Sequence, residues 1–422
     1  MVKRMGGATT SAAAAALVLG LVATGCGGGE GGGAPEIRYS WWGNAERAQM
    51  MREAIKLFEQ EHPDISVTPT FSEYNTYWEK LSTQVAGGGM PDVLQMDNAY
   101  LREYSDRGVL LDLSGQEGRN LDTATLLEGL GTAGVIDGAR YGVPIGGNTF
   151  SLVYAPEVFE EAGAPMPEDG WTWEEYDEAL SKVSAHTDGD PYGASDYTGL
   201  IWVLEAQLRQ EGGALFTDDG KLGFSKERLA EFWASGEDLR QDGAVVPADK
   251  AAQAQPLAPL GANLSASEFT WDNMLTRYVE ESKLDLELAP LPTDTGDSGQ
   301  YLKPSMLLSA SAQTSHPDAA AKFIDFMIND PEVAEIFGGN RGIPASRTQR
   351  EAIDYTGVDQ AIVDYEDSRM ADLQEAPPAP PAGAGALETE FIRLSEEVHH
   401  GQMSPDEAAA EFVSFAERTL SS

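Results

Sequence analysis

Residues able to attack, move protons or hold metals are scarce in this chain and badly spaced for catalysis. The five histidines are scattered at His62, His186, His316, His399 and His400. His399 and His400 are neighbours, so on a helix they point about 100° apart and give no two-histidine metal face. No G-x-S-x-G elbow, H-E-x-x-H pair or phosphate-loop pattern occurs. Asp188, Asp190, Asp218, Asp219, Asp294 and Asp297 fall in loops but lack calcium-loop spacing. Carboxylate pairs are too common in so acidic a chain to mark a glycosidase. The expectation is therefore no enzyme, no metal and no cofactor. A second kind of chemistry is better represented: flat aromatic rings beside fixed donors and acceptors, the set that holds a polyhydroxylated molecule by its C–H faces and hydroxyl pairs. The candidates are Trp42, Asn44, Tyr74, Asp97, Asn98, Asn148, Trp271, Asp272 and Arg341. Each has a plainer role open to it. Trp41 alternates with the core set, whereas Trp42 points the other way; Tyr74 lies on an apolar helix face; Asp97 and Asn98 can cap a helix; Arg341 can satisfy carbonyls of its own loop.

The elements that must position these residues begin with residues 36–114. EIRYSWW (36–42) alternates Ile37, Tyr39 and Trp41 on one strand face. A helix from Glu46 to about Glu61 carries Met51, Ala54, Ile55 and Phe58 on one side and stops at His62-Pro63. A second strand runs from Ile65 to near Phe71, and a second helix shows Tyr74, Trp78, Leu81 and Val85 on one face. PDVLQM (91–96) is a short apolar run suited to a strand covered on both faces. Strand–helix alternation argues for an α/β fold with a mainly parallel sheet, whose ligands bind beyond the carboxyl ends of the strands. Trp42, Asn44, Asp97 and Asn98 stand at those ends. Further on, Val135–Pro144 reads as a hairpin turning at Asp137-Gly138. Thr172 and Glu175 have capping-box spacing. Pro247–Pro259 is Pro/Ala-rich and reads as loop.

At 422 residues the chain suits two domains, and 41% hydrophobic residues suffice for their cores. Its net charge of −41, with no basic run, argues against a nucleic-acid partner. Lys3 and Arg4, then the apolar stretch Ala12–Val22, then Ala23-Thr24-Gly25-Cys26 form a targeting segment too short for a membrane span. It resembles a bacterial lipoprotein signal, which would make Cys26, the chain's one cysteine, a lipidation site. Residues 26–33 would be a Gly-rich tether.

The order WWGN, EHPDISV, FSEYNTYWEKL and GGGMPDVLQMDNAYLREYSDRGVLLDLS resembles the extracellular solute-binding proteins of ABC importers, in the carbohydrate-binding group typified by maltose-binding protein. The resemblance spans roughly the whole mature chain. It implies a two-lobed fold, each lobe a mainly parallel sheet flanked by helices, joined by about three crossovers. Implied boundaries are a signal peptide at 1–25, a first lobe of 34–144 plus 268–308, and a second of 149–264 plus 312–422. The crossings would lie at 145–154, at FTWDN (269–273) and at 306–310. By resemblance, the ends of the first strand and the PDVLQMD strand, the first crossing and the Trp-bearing second crossing are ligand-contact regions. The resemblance further implies a monomer, lipid-anchored outside the cytoplasmic membrane, that captures a mono- or oligosaccharide and delivers it to permease subunits. Where the maltose-binding group carries an aromatic pair that stacks on sugar, this chain has Glu388 and Thr389, so a linear maltodextrin does not follow. The alternatives are the same fold with a polyamine, glycerol phosphodiester or peptide, or a cell-surface polysaccharide enzyme. A phosphate ester needs converging Arg or Lys, and the sequence shows few near these positions.

Overall fold

Strand β1 (Glu36–Trp42) buries Ile37, Tyr39 and Trp41 while Glu36 and Arg38 face out, as the alternation requires. A computed structural model describes residues 34–217 and 219–420; the expected signal segment, tether and Cys26 lie outside them, as does Asp218. Helix α1 (Ala45–Glu61) buries its stripe of Met51, Ala54, Ile55 and Phe58 against β1. Strand β2 (Ser66–Ser72), helix α2 (Tyr74–Gly87), strand β3 (Val93–Met96) and helix α3 (Asn98–Asp106) complete the alternation. All four residues of β3 are buried. Helix α2 ends at Gly88, whose φ of 72° suits a residue without a Cβ. On α2 the fully buried residues are Tyr77 and Leu81, and Tyr74 turns outward.

Strands β4 (Val135–Ile136) and β5 (Ala139–Arg140) form the expected hairpin, with positive φ at both Asp137 and Gly138. The decisive element is β6 (Val143–Tyr154), twelve residues long. Its first half pairs antiparallel with β9 (Leu302–Ala310) and β10 (Ile343–Pro344). Its second half pairs antiparallel with β7 (Ser267–Trp271) and β8 (Glu287–Ala289). One strand thus runs out of one core into another. The sheet order is β10-β6-β9-β3-β1-β2. Among the ten described strands, parallel pairing is confined to β2-β1-β3, and the strands that cross between lobes enter antiparallel.

The two lobes are each built on their own core. Tyr39, Phe58, Leu94 and Leu307 belong to the first, and Leu152, Tyr176, Trp233, Phe391 and Phe412 to the second. A smaller third cluster holds Leu275, Tyr278, Ile362 and Val363. This packing corrects the expected boundaries. The first lobe expected from the sequence includes 268–291, yet Phe269, Ala289 and Leu291 pack in the second core. Residues from 312 on were assigned to the second, yet the helix Pro317–Asn329 lies on the first, with the Phe323 ring centroid 5.1 Å from those of Tyr39 and Phe58. Its apolar face covers sheet beside α1 that would otherwise meet water. A second correction concerns the Pro/Ala segment, where Ala248–Ala254 is helical rather than loop; alanine's high helix propensity explains these roughly two turns.

The Thr172–Glu175 capping box is formed in both directions at the start of the helix Trp173–Thr187. Thr172→Ala is expected to cost about 1 kcal/mol, read as a lower urea midpoint at unchanged slope.

Candidate ligand cleft

The carboxyl ends of β1, β2 and β3 bring Asn44, Tyr74 and Asp97 to one rim of the first lobe. Asn44 caps α1, accepting the Arg47 N–H at 2.9 Å. Asp97 caps α3, accepting the Ala99 N–H at 2.9 Å with one carboxylate oxygen. Its other oxygen accepts the Tyr74 hydroxyl at 3.1 Å. Capping therefore does not exhaust Asp97, and Tyr74 is 39% exposed. Burial, with Asp97 beside it, holds the Tyr74 phenol above its ordinary pKa, so it remains a donor. Asn98 opens α3 and is half-buried. Trp42 is more enclosed than its outward register implied. It is 9% exposed and packs edge-on to Tyr74 and Tyr77, at centroid distances of 5.4 and 5.3 Å. An aromatic cluster, not open cleft, surrounds most of its ring.

The opposite wall comes from the second lobe. Trp271, at the end of β7, faces Trp202 at 5.6 Å and Phe150 at 5.2 Å, and with Glu205, Gln300 and Tyr301 they line a small recess. Between the walls stands Lys303, at the start of β9 and opposite Asn148 in register. Its ammonium sits 3.8 Å from the Trp202 ring centroid and 4.5 Å from that of Trp271. Burial lowers the Lys303 pKa, while Asp97, Glu205 and Glu388 act in the opposite sense. Glu205 is buried, accepts the Tyr301 hydroxyl at 2.9 Å and has its pKa raised by burial. Sequence reasoning missed Lys303 and Glu205. Its only pointer was the crossing region in which Lys303 lies.

Arg341 sits beside the crossing, in the loop before β10. It is 4% exposed, with its guanidinium carbon 3.6 Å from the Phe337 ring centroid. It does not satisfy its own loop's carbonyls: Nε and Nη1 have no partner. Burial pulls its pKa down to about 9, Tyr39 acting against this and the charge of Arg47 adding to it. Asn148 lies next to this loop. A Cβ on Gly342 (φ 84°) would come within 3.0 Å of the Asn148 amide oxygen, which is itself unpartnered. The expected shortage of basic residues is thereby corrected. Arg47, Lys303 and Arg341 are far apart in sequence, and only the crossing strands bring all three to the strand ends.

Asp272 must be withdrawn as a ligand contact. It is 0% exposed and turns back to accept the Thr149 N–H at 2.7 Å on β6. Its second oxygen faces Glu366, which is 1% exposed and bound to Arg350 at 2.6 Å. Burial raises the pKa of both carboxyls. Two buried carboxyls so placed each disfavour the charge of the other, so the pair under the crossing strands favours holding a proton. Glu268 is likewise engaged, by Ser195, Tyr278 and the Leu260 N–H.

This two-walled site on two α/β lobes is the arrangement of a solute receptor. The chain belongs to the bacterial extracellular solute-binding proteins, whose family model matches residues 53–356. A binding protein of Brucella abortus is 21% identical over 390 residues, covering 89% of this chain and 91% of the relative. The diacetylchitobiose-binding protein of Streptomyces coelicolor is 25% identical over 284 residues, 64% of each chain. A solved family 1 extracellular solute-binding protein of Alicyclobacillus acidocaldarius superposes with a TM-score of 0.75 at 28% identity, over 92% of this chain and 98% of that one. Among the described residues no helix is long and apolar enough to cross a membrane.

Proposed function

We propose that this protein captures a carbohydrate between its lobes and delivers it to the permease of an ABC importer, held outside the cell membrane by a lipid on Cys26. The observation that carries the reading is two groups of sugar-binding type at the crossing strands, the Trp271–Trp202 pair on one lobe and the Tyr74–Asp97 pair at the strand ends of the other, with Lys303 against both indoles and within the field of Asp97. Indole faces stack on sugar C–H surfaces, and a fixed carboxylate accepts from paired hydroxyls. A ligand favours lobe closure only through contacts on both lobes, which this division of groups supplies. The diacetylchitobiose named for the Streptomyces coelicolor relative supports the same ligand class. Binding without catalysis is part of the proposal.

The test is a glycan-panel titration of the purified chain, read by Trp fluorescence and thermal shift. A saturable change with a saccharide, with a raised melting temperature, is the expected result. A response to polyamines, phosphodiesters or peptides alone would overturn the carbohydrate reading. Shortening of a glycan during the titration would make the protein an enzyme. Incorporation of labelled lipid by the full chain, lost in Cys26→Ala, tests the anchor.

A further inference from the structure

Three arginines of the described chain are buried: Arg140, Arg209 and Arg341. Arg140 is paired with Glu117 and bonds three backbone carbonyls. Arg209 bonds the carbonyls of Gly299 and Glu375 and lies over the Tyr301 ring. Arg341 has no such partner. A buried charge without a counter-charge or hydrogen bonds is strongly unfavourable, and protein chains avoid it.

A second cation aggravates the imbalance. Arg47 bonds Asn340 through its side-chain oxygen at 2.9 Å and its carbonyl at 2.6 Å, leaning toward the Arg341 loop without any carboxylate. Further unpartnered polar atoms gather nearby. The Tyr39 hydroxyl, within the field of both arginines, is wholly buried and has no partner. The Asn148 amide oxygen and one atom of the Gln95 amide are also unpartnered. Gln95 and Arg47 both reach the Met306 sulfur, at 2.9 and 3.9 Å. Like charges, a phenol and two reorientable amides thus converge at the ends of β1 and β3, beside the first turn of α1. Among the described residues neither arginine forms an ion pair with a carboxylate, although the charge of the neighbouring Glu46 acts on Arg47. The other end of the cleft differs: there Lys303 lies within the field of Asp97, Glu205 and Glu388.

We infer that the ligand is an acidic saccharide, whose carboxylate or phosphate is received by Arg341 and Arg47 while its hydroxyls face Asp97 and the tryptophans. The inference rests on the carbohydrate reading and narrows it. The two arginines supply charge-assisted donors, Tyr39 adds a hydroxyl, and the positive end of α1 adds to the field. The bound anion completes the charge balance that the chain leaves open.

The test uses two matched triplets and one matched pair: glucose, glucuronate and glucose 6-phosphate; galactose, galacturonate and galactose 6-phosphate; and the disaccharides galactobiose and digalacturonate. Each is titrated calorimetrically into the purified chain. The expected result is that an acidic member binds about 10–100-fold more tightly than its neutral partner, and that the advantage shrinks with added salt. The uronate and phosphate arms decide which anion is held. Arg341→Gln, checked for folding by its thermal transition, should remove the preference; Arg47→Gln provides the same test if Arg341→Gln does not fold. Neutral members binding as tightly as acidic ones would overturn the inference and leave the carbohydrate reading standing. Binding of none of the saccharides, with a response to another solute class, would overturn both. An acidic preference that survives both substitutions would overturn the assignment to the two arginines.

Discussion

Arg350→Ala is expected to lower stability by about 3–5 kcal/mol, the cost of leaving a buried carboxylate without its partner. Arg350 bonds Glu366 at 2.6 Å and the Asp367 carboxylate at 2.7 Å, and its side chain is 9% exposed against 1% for Glu366. The loss reaches beyond one ion pair because Glu366 also acts on the buried carboxyl of Asp272, which fixes the Thr149 N–H on the strand joining the lobes. Denaturant unfolding should show the drop, and Glu366→Gln in the Arg350→Ala background should recover much of it. The pH dependence follows from the same group. Burial first, and then the Glu366 charge, raise the folded-state pKa of Asp272 above that of the unfolded chain. The folded state therefore holds the proton more tightly, so this contribution is complete below the unfolded carboxyl value of about 4 and is lost as pH rises toward the folded value. Asp272→Asn keeps an acceptor for Thr149 and gives Glu366 a permanent donor. Its melting temperature should match that of the unmodified protein near pH 4 and exceed it at pH 8. Tyr365, Tyr355 and Asp367, which also face this group, remain in place in both proteins.

Trp271→Ala should weaken saccharide binding by about 30–150-fold, equivalent to about 2–3 kcal/mol for a central aromatic contact. The indole is the shared face of the recess: it touches Trp202, Phe150 and the Lys303 ammonium at once. Its removal deletes the stacking surface and frees Lys303 from one side of its aromatic clamp. Trp271 is only half-buried, outside the main core, so the unliganded melting temperature should change little. Calorimetric titration beside a thermal scan separates these effects. A lost affinity with an unchanged transition assigns Trp271 to the ligand, whereas a parallel fall in both makes it a packing residue. Trp202→Ala should show a smaller loss.

Local pattern carried a good deal of this structure. Period-2 alternation through Ile37, Tyr39 and Trp41, the stripe of Met51 to Phe58, the Thr172 cap and the Asp137-Gly138 turn all depend on neighbours in the chain, and all are formed. So do the strand ends that set Asn44, Tyr74 and Asp97 on one rim. What the sequence left undetermined depends on residues far apart. Trp42 points away from the Trp41 face, as alternation requires, but the burial of its ring by Tyr74 and Tyr77 is set by how α2 lies on the sheet. Asp272 looks like a ligand group beside Trp271 until Glu366, 94 positions later by residue number, closes over it. The lobe boundaries are not legible in the sequence because the apolar face of the helix Pro317–Asn329 could serve either lobe, and only the fit of Phe323 against Tyr39 and Phe58 chooses the first. The meeting of Arg47 with Arg341 was equally invisible. Secondary structure follows from short-range sterics and hydrophobic period, which a sequence displays directly. Charge balance and ligand access follow from which strands cross, and that is decided by packing between segments hundreds of residues apart.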